Sequence, residues 1–223
     1  MRFAASAALL AALSGVASGS ITSFVETFDS DAANWRNSDG SAVLDWFPAG
    51  GPDGSAYASG TFNLINATGG FPPIVIRGQV GFGSSGGAFA GDWIAAGVTG
   101  FSFDFRHDLP ESIIVTGRFA TPANFPGAST ESSILVAPNT WTTVFYDLTE
   151  GSSDIISLGG GTYPGIFSNI GNIQIGFNVP SSLSGQDLVG RFDIDNISII
   201  PAPGAAGVLA LGLCGLTGRR RRR

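Results

Sequence analysis

The chain has 223 residues, 43% of them apolar, which is enough for one domain of ordinary size with a buried core. Between residues 20 and 200, five arginines stand against 17 carboxylates, a net charge of −12 that repels polyanions and argues against nucleic-acid binding. A single histidine and a single cysteine, Cys214, leave no disulfide and argue against a zinc, copper or haem site.

The N-terminus has the three parts of a secretory signal peptide. Arg2 supplies the positive charge, residues 3–16 form an apolar segment, and Ala17, Ser18 and Gly19 are the small residues that signal peptidase requires. We therefore expect residues 1–19 to be removed by signal peptidase and the folded body to occupy residues 20–200.

The body is rich in β-branched and aromatic residues, alternates in hydrophobicity and contains no convincing helix. In 101–107, for example, Phe101, Phe103 and Phe105 alternate with polar residues such as Asp104, which predicts an inward and an outward face. About eight or nine strands with this spacing predict an all-β fold, an antiparallel β-sandwich of the jelly-roll type. The clearest strands are predicted at 21–28, 55–64, 74–80, 101–107, 112–120, 141–148, 170–179 and 191–200.

The last strand interrupts its own alternation. Phe192 and Ile194 share one parity, whereas Ile197 and Ile199 share the other, so the pattern slips by one residue at Asp195 and Asn196. Such a slip predicts a β-bulge.

The glycine-rich segment 81–87, GFGSSGG, matches two short motifs, G-x-G-x-x-G and G-x-S-x-G. Both motifs need a strand before them and a helix after them, and no helix is predicted here, so a loop is the favoured interpretation. A hydrolase would need Ser85 to act with Asp104 and His107. We expect His107 instead to be a surface residue at the end of a strand.

Four tryptophans are candidates for stacking on sugar rings. Trp35 and Trp141 are expected in the core. Trp46 and Trp93 lie in glycine-rich loops, so we expect them to be the exposed ligand-binding candidates.

The C-terminus, residues 201–223, combines a proline motif, a short apolar run and a basic end. Residues 204–218 are 15 uncharged residues, which as a helix would span ~22 Å of the ~30 Å hydrocarbon core. The basic residues after them would act as a cytoplasmic stop: Arg219, Arg220, Arg221, Arg222 and Arg223. A C-terminal hydrophobic helix with a transient inner-membrane intermediate is therefore predicted.

This three-part tail resembles the PEP-CTERM sorting signal of bacteria. The sorting motif would be Pro201, Ala202 and Pro203, although the family usually has Glu where this chain has Ala202. The resemblance implies processing by an exosortase, export, and residence at the cell surface or in the extracellular polymer layer.

Pieces of the body resemble galactose-binding-like jelly rolls and their laminin-B-like relatives. They are VETFDSDAANW, GDWIAAGVTGFSFDFR, NTWTTVFYDL and FDIDNISII. In that family a structural Ca²⁺ often links the first strand region to the last. By resemblance, Asp195 would be one ligand, and Glu26 or Asp29 could supply others, with carboxylate oxygens as calcium prefers.

Together these observations favour a secreted, non-enzymatic structural or adhesive protein associated with the surface or with exopolysaccharide. One alternative is a carbohydrate-binding module for extracellular polysaccharide. A second alternative is a secreted hydrolase.

Overall fold

The computed structural model describes residues 24–67 and 72–202. These residues form eleven β-strands, three short 3₁₀ segments and one five-residue helix, α1 (Tyr163–Phe167). The strands are β1 Val25–Glu26, β2 Asp45–Phe47, β3 Tyr57–Asn63, β4 Ile74–Gln79, β5 Val98–His107, β6 Ile113–Ala120, β7 Gly127–Val136, β8 Thr142–Asp147, β9 Ile156–Leu158, β10 Asn172–Phe177 and β11 Val189–Pro201.

The strands form two antiparallel sheets. Sheet A has the order β2-β3-β11-β5-β8, with β1 also paired to β11, and sheet B has the order β4-β10-β6-β7-β9. The long last strand β11 therefore lies in the middle of sheet A, next to the short first strand. This arrangement confirms the predicted all-β antiparallel sandwich.

Every strand predicted from the sequence overlaps an observed one, but β2, β7 and β9 were not predicted. The sequence of β7, GASTESSILV, has small and polar residues at most positions, and β9 has three residues. With so few apolar residues, the alternation of hydrophobicity hardly indicates a strand. These strands form because neighbouring strands provide hydrogen-bond partners for their backbones.

The core between the sheets is built mainly from aromatic side chains. Phe101, Phe103 and Phe105 on β5 are fully buried, as their alternation predicts. The Phe101 ring lies 5.2 Å from that of Phe119 on β6, at an interplanar angle of 74°, so the two sheets meet by edge-to-face packing. Trp35 is also fully buried, which confirms its predicted core position.

The predicted bulge in β11 is present. The pairing of β11 with β5 shifts register between Asp195 and Ser198, and Asn196 adopts a positive φ of 50°. The Asn196 side chain donates a hydrogen bond to Asp104 on β5 (2.8 Å), which ties the irregular backbone to its neighbour.

His107 is buried, contrary to the expectation of a surface position. It is the last residue of β5, but its odd number puts it on the same inward face as the phenylalanines, and its exposure is 1%. Its Nε2 lies 3.0 Å from the Val136 carbonyl oxygen, whereas Nδ1 has no partner among the described residues.

Asp193 joins three strands of sheet A on its outer face. It is fully buried, it accepts hydrogen bonds from Ser59 on β3 (2.6 Å) and Arg106 on β5 (2.7 Å), and Arg191 lies 3.5 Å away. This carboxylate thus holds the middle of the sheet together through side chains as well as backbone.

Replacing Asp193 with Ala should strongly destabilise the fold, because it leaves Arg106 and Ser59 without their acceptor in a buried position. We expect a loss of about 3 kcal/mol in the free energy of unfolding, measured by chemical denaturation. Asp45→Ala, at an exposed position opposite Ser59, should change it by less than about 0.5 kcal/mol. Equal effects of the two substitutions would contradict this role.

Candidate functional site

The outer face of sheet B contains a groove of about 660 Å³. All five strands of the sheet contribute to it, together with the loop between β6 and β7. A concave surface of this size, lined by a mixture of polar and apolar groups, is the usual form of a ligand-binding site. Its lining residues are Pro72, Ile74, Arg77, Thr116, Gly117, Arg118, Asn124, Phe125, Ser129, Thr130, Glu131, Ile156, Leu158, Gly159, Gln174 and Gly176.

The floor of the groove is a row of side chains that crosses the whole sheet. Gln174 on β10 is paired with Arg77 on β4 and with Arg118 on β6, which is followed by Ser129 on β7 and Ile156 on β9. Residues in register on neighbouring strands point to the same side of a sheet. The core occupies the other side, so this row lies on the groove side of the sheet, with its central residue Gln174 only 2% exposed.

A hydrogen-bond network fixes the polar centre of the row. Arg118 Nη1 donates to Gln174 Oε1 (2.8 Å) and to Asn124 Oδ1 (2.7 Å), and Gln174 Nε2 donates to the same Asn124 oxygen (3.1 Å). Asn124 has a positive φ of 71°, a conformation that Asn tolerates better than most residues. The network therefore holds both the arginine and the β6–β7 loop in defined positions.

An exposed aromatic ring forms one wall. Phe125, in the same loop, is 57% exposed, and the Arg118 guanidinium carbon lies 4.8 Å from its ring centroid. Ile156, 58% exposed, and Leu158 on β9 add apolar surface nearby. The groove thus offers flat apolar surface beside fixed hydrogen-bond donors.

Two positive charges dominate the electrostatics of the groove. Burial lowers the pKa of Arg77 and of Arg118, and the proximity of Arg77 lowers the pKa of Arg118 further. Glu131 is the carboxylate that lines the groove, and it accepts a hydrogen bond from Asn178 (2.9 Å).

Sequence analysis missed this site, although a signal was present. Arg77, Arg118 and Gln174 are polar residues at alternate positions inside otherwise apolar strands. Their alternation predicts an outward face, but only the pairing of β10 between β4 and β6 brings the three together.

The expectation that Trp93 is exposed for ligand binding is wrong. Trp93 is 1% exposed, its indole nitrogen donates to the Phe89 carbonyl oxygen (2.9 Å), and its ring stacks at 6.1 Å on Phe101. Gly91 and Gly97 near it have positive φ angles of 128° and 68°, and the Val98 N–H donates to the Trp93 carbonyl oxygen (2.9 Å), which closes a tight turn. Trp46 is 37% exposed and lies on β2, an edge strand of sheet A, so it does not contribute to the groove.

Trp141, expected in the core, instead lies half-buried on the outer face of sheet A. Arg106 stacks on its ring, with the guanidinium carbon 4.5 Å from the centroid, and Tyr57 meets it edge-on at 5.6 Å. Its indole nitrogen donates to the Gly50 carbonyl oxygen (2.9 Å), so this ring helps fix the loop after β2.

The residues that a hydrolase would need do not form a catalytic group. Ser85 Oγ accepts a hydrogen bond from the indole nitrogen of Trp35 (2.8 Å), whereas Asp104 is bonded to Asn196 on the outer face of sheet A. His107 points from the same strand into the core. No hydrogen bond among the described residues joins any two of the three.

The three carboxylates proposed for calcium have different surroundings. Asp195 is fully buried and accepts hydrogen bonds from Ser55 (2.8 Å) and from the Asn196 backbone (2.7 Å). Burial raises its pKa, and the nearby Asp104 and Asp29 raise it further. The Glu26 carboxylate accepts from the Phe28 backbone (3.0 Å). Within residues 24–67 and 72–202 no cluster of three or more metal-binding side chains is found, and calcium binding stays a prediction.

The proposed sorting motif begins inside the fold. Pro201 ends β11, and the Ala202 backbone donates to the Gly97 carbonyl oxygen (2.7 Å). Pro203, Arg219 to Arg223 and residues 1–19, the expected signal peptide, lie outside the described residues. Among the residues that the structure describes, no helix has the length and apolar character needed to cross a membrane.

No protein-family model matches the chain, and no curated protein matches it in sequence. Among solved structures, it is similar to a Clostridium thermocellum xylanase 10B fragment with CBM22-1 and GH10 modules, complexed with xylohexaose (13% identity, TM-score 0.48). That match covers 82% of this chain but only 29% of the xylanase chain.

Two smaller domains are also similar to the chain. The family 11 carbohydrate-binding module of the C. thermocellum cellulase Lic26A-Cel5E has 16% identity and a TM-score of 0.43, covering 81% of this chain and 95% of that module. The L4b domain of human laminin alpha-2 has 11% identity and a TM-score of 0.37, covering 71% and 98%.

Calcium binding can be tested by thermal unfolding in calcium and in chelator, at matched ionic strength. Binding to the folded state alone would stabilise it by about 2.7 kcal/mol at a hundredfold excess over Kd. We expect Asp195→Ala to remove the increase in Tm and Asp154→Ala, at an exposed position before β9, to retain it. Equal melting temperatures of the wild type in calcium and in chelator would rule the site out.

His107 should make the fold sensitive to mild acid. Burial lowers its pKa below the ordinary value of 6.5, so between these two values the unfolded chain binds more protons than the folded one. Its contribution to stability is complete above pH 6.5 and is lost as the pH falls toward the folded-state pKa. We expect denaturant unfolding at pH 7.5 and 5.5 to show a smaller decrease for His107→Gln than for the wild type. The carboxylates titrate in both proteins, so an identical decrease would exclude a role of His107.

Proposed function

We propose that the body is a carbohydrate-binding β-sandwich that holds a polysaccharide chain along the groove of sheet B. The observation that carries this proposal is the row from Arg77 through Gln174 and Arg118 to Ile156, which crosses all five strands beside the exposed Phe125 ring. Sugar rings present hydroxyl groups at their edges and C–H groups on their faces. Fixed guanidinium and amide groups match the edges, and apolar or aromatic surface matches the faces.

The groove is preorganised, which supports a binding role. Arg118, Asn124 and Gln174 hold one another by hydrogen bonds within the protein, so little of their side-chain freedom remains to be lost on binding. The lining residues of the groove come from all five strands of sheet B, so an extended chain could contact several of them at once.

Binding without catalysis fits the composition of the groove. Hydrolysis of a glycosidic bond generally uses two carboxyl groups on either side of the bond. Among the described lining residues, Glu131 is the one carboxylate. The body would then be an adhesive component that attaches to polysaccharide, with a secreted hydrolase as the less favoured alternative.

The proposed location follows from the two ends of the chain. Signal peptidase and an exosortase would process residues 1–19 and 201–223, after a transient stage in the inner membrane. The body would then reach the cell surface or the extracellular polymer layer, where polysaccharide is available as a partner. This part of the proposal is tested by fractionating cells and determining the mature C-terminus by mass spectrometry; recovery outside the cell with Arg219–Arg223 still attached would contradict it.

Substitutions in the groove should weaken polysaccharide binding without unfolding the body. Phe125→Ala removes the stacking surface and should cost about 1 kcal/mol, roughly fivefold in Kd. Ser129→Trp places a large ring on the groove floor and should abolish binding by filling the space. Affinity electrophoresis against a panel of neutral and acidic polysaccharides measures both effects.

Phe145→Ala provides the matched control. Phe145 is 50% exposed on β8 of sheet A, on the opposite side of the sandwich, so its loss should leave binding unchanged. Tm values establish that each variant is folded. Retention of full binding by folded Ser129→Trp, or no binding of the wild type to any polysaccharide, would refute the proposed site.

A further inference from the structure

Four of the five arginines of the body lie on the two sheets in two different settings; the fifth, Arg36, donates to the Gly40 carbonyl oxygen (3.0 Å) and lies over the Phe82 ring. On sheet A, Arg106 and Arg191 both lie within ion-pair distance of Asp193. On sheet B, Arg77 and Arg118 lie in the groove and form no ion pair with a carboxylate among residues 24–67 and 72–202. The body has 17 carboxylates for five arginines, so a carboxylate partner for each arginine would be easy to supply. Two neighbouring arginines that have no such partner therefore suggest a role other than internal ion pairing.

Register places the two charges on either side of one residue. Arg77 and Arg118 each pair with Gln174, so their backbones are two strand spacings apart, about 10 Å. Their long side chains can approach more closely than this, and the pKa of Arg118 is lowered by the charge of Arg77. The two guanidinium groups therefore repel each other in a partly buried site.

Hydrogen bonds within the protein orient both guanidinium groups, and each group keeps N–H donors that have no partner among the described residues. Arg77 Nε donates to the Ser38 carbonyl oxygen (2.6 Å), and its two terminal nitrogens have no partner among the described residues. Arg118 uses its terminal nitrogens on Asn124 and Gln174, whereas its Nε–H has no such partner. Guanidinium groups held in this way match the planar, two-oxygen geometry of a carboxylate.

We propose that the groove selects an acidic glycan, with the carboxylate of a uronic acid unit bound between Arg77 and Arg118. This inference rests on the proposed carbohydrate-binding function and adds the chemical class of the ligand. The bound anion removes the repulsion between the two arginines, which a neutral sugar does not do.

The charge of the rest of the body restricts the ligand further. Glu131 lies in the groove, Asp39 acts electrostatically on Arg77, and the body as a whole has a net charge of −12. At physiological salt, charges beyond a screening length of about 8 Å contribute little, so one acidic unit between the arginines is attracted. A polymer with a charge on every unit also meets the surrounding carboxylates. The preferred ligand therefore carries widely spaced carboxylates.

The experiment compares acidic polysaccharides with their own neutral forms. Glucuronoxylan, alginate and polygalacturonate are each tested beside the same polymer after chemical reduction of its carboxyl groups. We expect tighter binding of at least one acidic form, by about tenfold, and glucuronoxylan, with its spaced charges, should bind more tightly than polygalacturonate.

Variants then locate the charge effect. Arg77→Gln and Arg77→Lys both lose the Nε hydrogen bond to Ser38, but Lys retains the positive charge. We expect Arg77→Gln to lose the preference for the acidic form and Arg77→Lys to retain much of it. Glu131→Gln, which can still accept from Asn178, should strengthen binding of the acidic form at least twofold.

Arg191→Gln removes one positive charge from the opposite sheet and should leave the preference unchanged, which separates the charge of the groove from that of the whole body. Equal binding of acidic and reduced forms would overturn the inference and leave the proposed function in place. Equal loss of preference in Arg77→Gln and Arg77→Lys would also overturn it, because the loop contact rather than the charge would then be responsible. No binding of any form would refute the proposed function as well.

Discussion

The burial of alternate side chains between the two sheets is the constraint on which the rest of the molecule depends. Phe101, Phe103 and Phe105 on β5 pack against Phe119 on β6, and this packing fixes which face of each strand is inside. Since side chains alternate along a strand, a slip of one residue in β6 would bury Arg118 and expose Phe119. The aromatic core thus determines the position of the groove residues from the opposite side of the sheet.

The two outer faces of the sandwich differ because only one is covered. On sheet A, the loop after β2 crosses the face, where Gly50 accepts hydrogen bonds from Arg106 and Trp141, and Ser55 donates to Asp195. On sheet B, the row from Arg77 to Ile156 lines the groove, and the β6–β7 loop contributes Asn124 and Phe125 to it. Sheet A therefore uses its charged groups for internal stability, whereas sheet B leaves its charged groups facing an open groove.

The distribution of charge follows from this difference. Taken as a whole, the acidic body repels anions, and this argues against nucleic acid as a partner. Locally, Arg77 and Arg118 outnumber Glu131, the one carboxylate among the described groove residues. The acidic side chains of sheet A lie on the other side of the sandwich, where screening by salt limits their reach. A protein of strongly negative net charge can in this way present a site for an acidic sugar.

The sequence by itself determined the all-β fold, the inward positions on β5 and the bulge at Asp195, because these depend on local alternation that a single strand displays. It did not locate the groove. It predicted that Trp93 and His107 are exposed, although both are buried, and that Trp141 is in the core, although it is half-buried on an outer face. Those features depend on which strands become neighbours and on how the loops fold over them, and such contacts join residues far apart in the chain. Gln174 lies between Arg77 and Arg118 only because β10 is inserted between β4 and β6, a pairing decided by the tertiary structure.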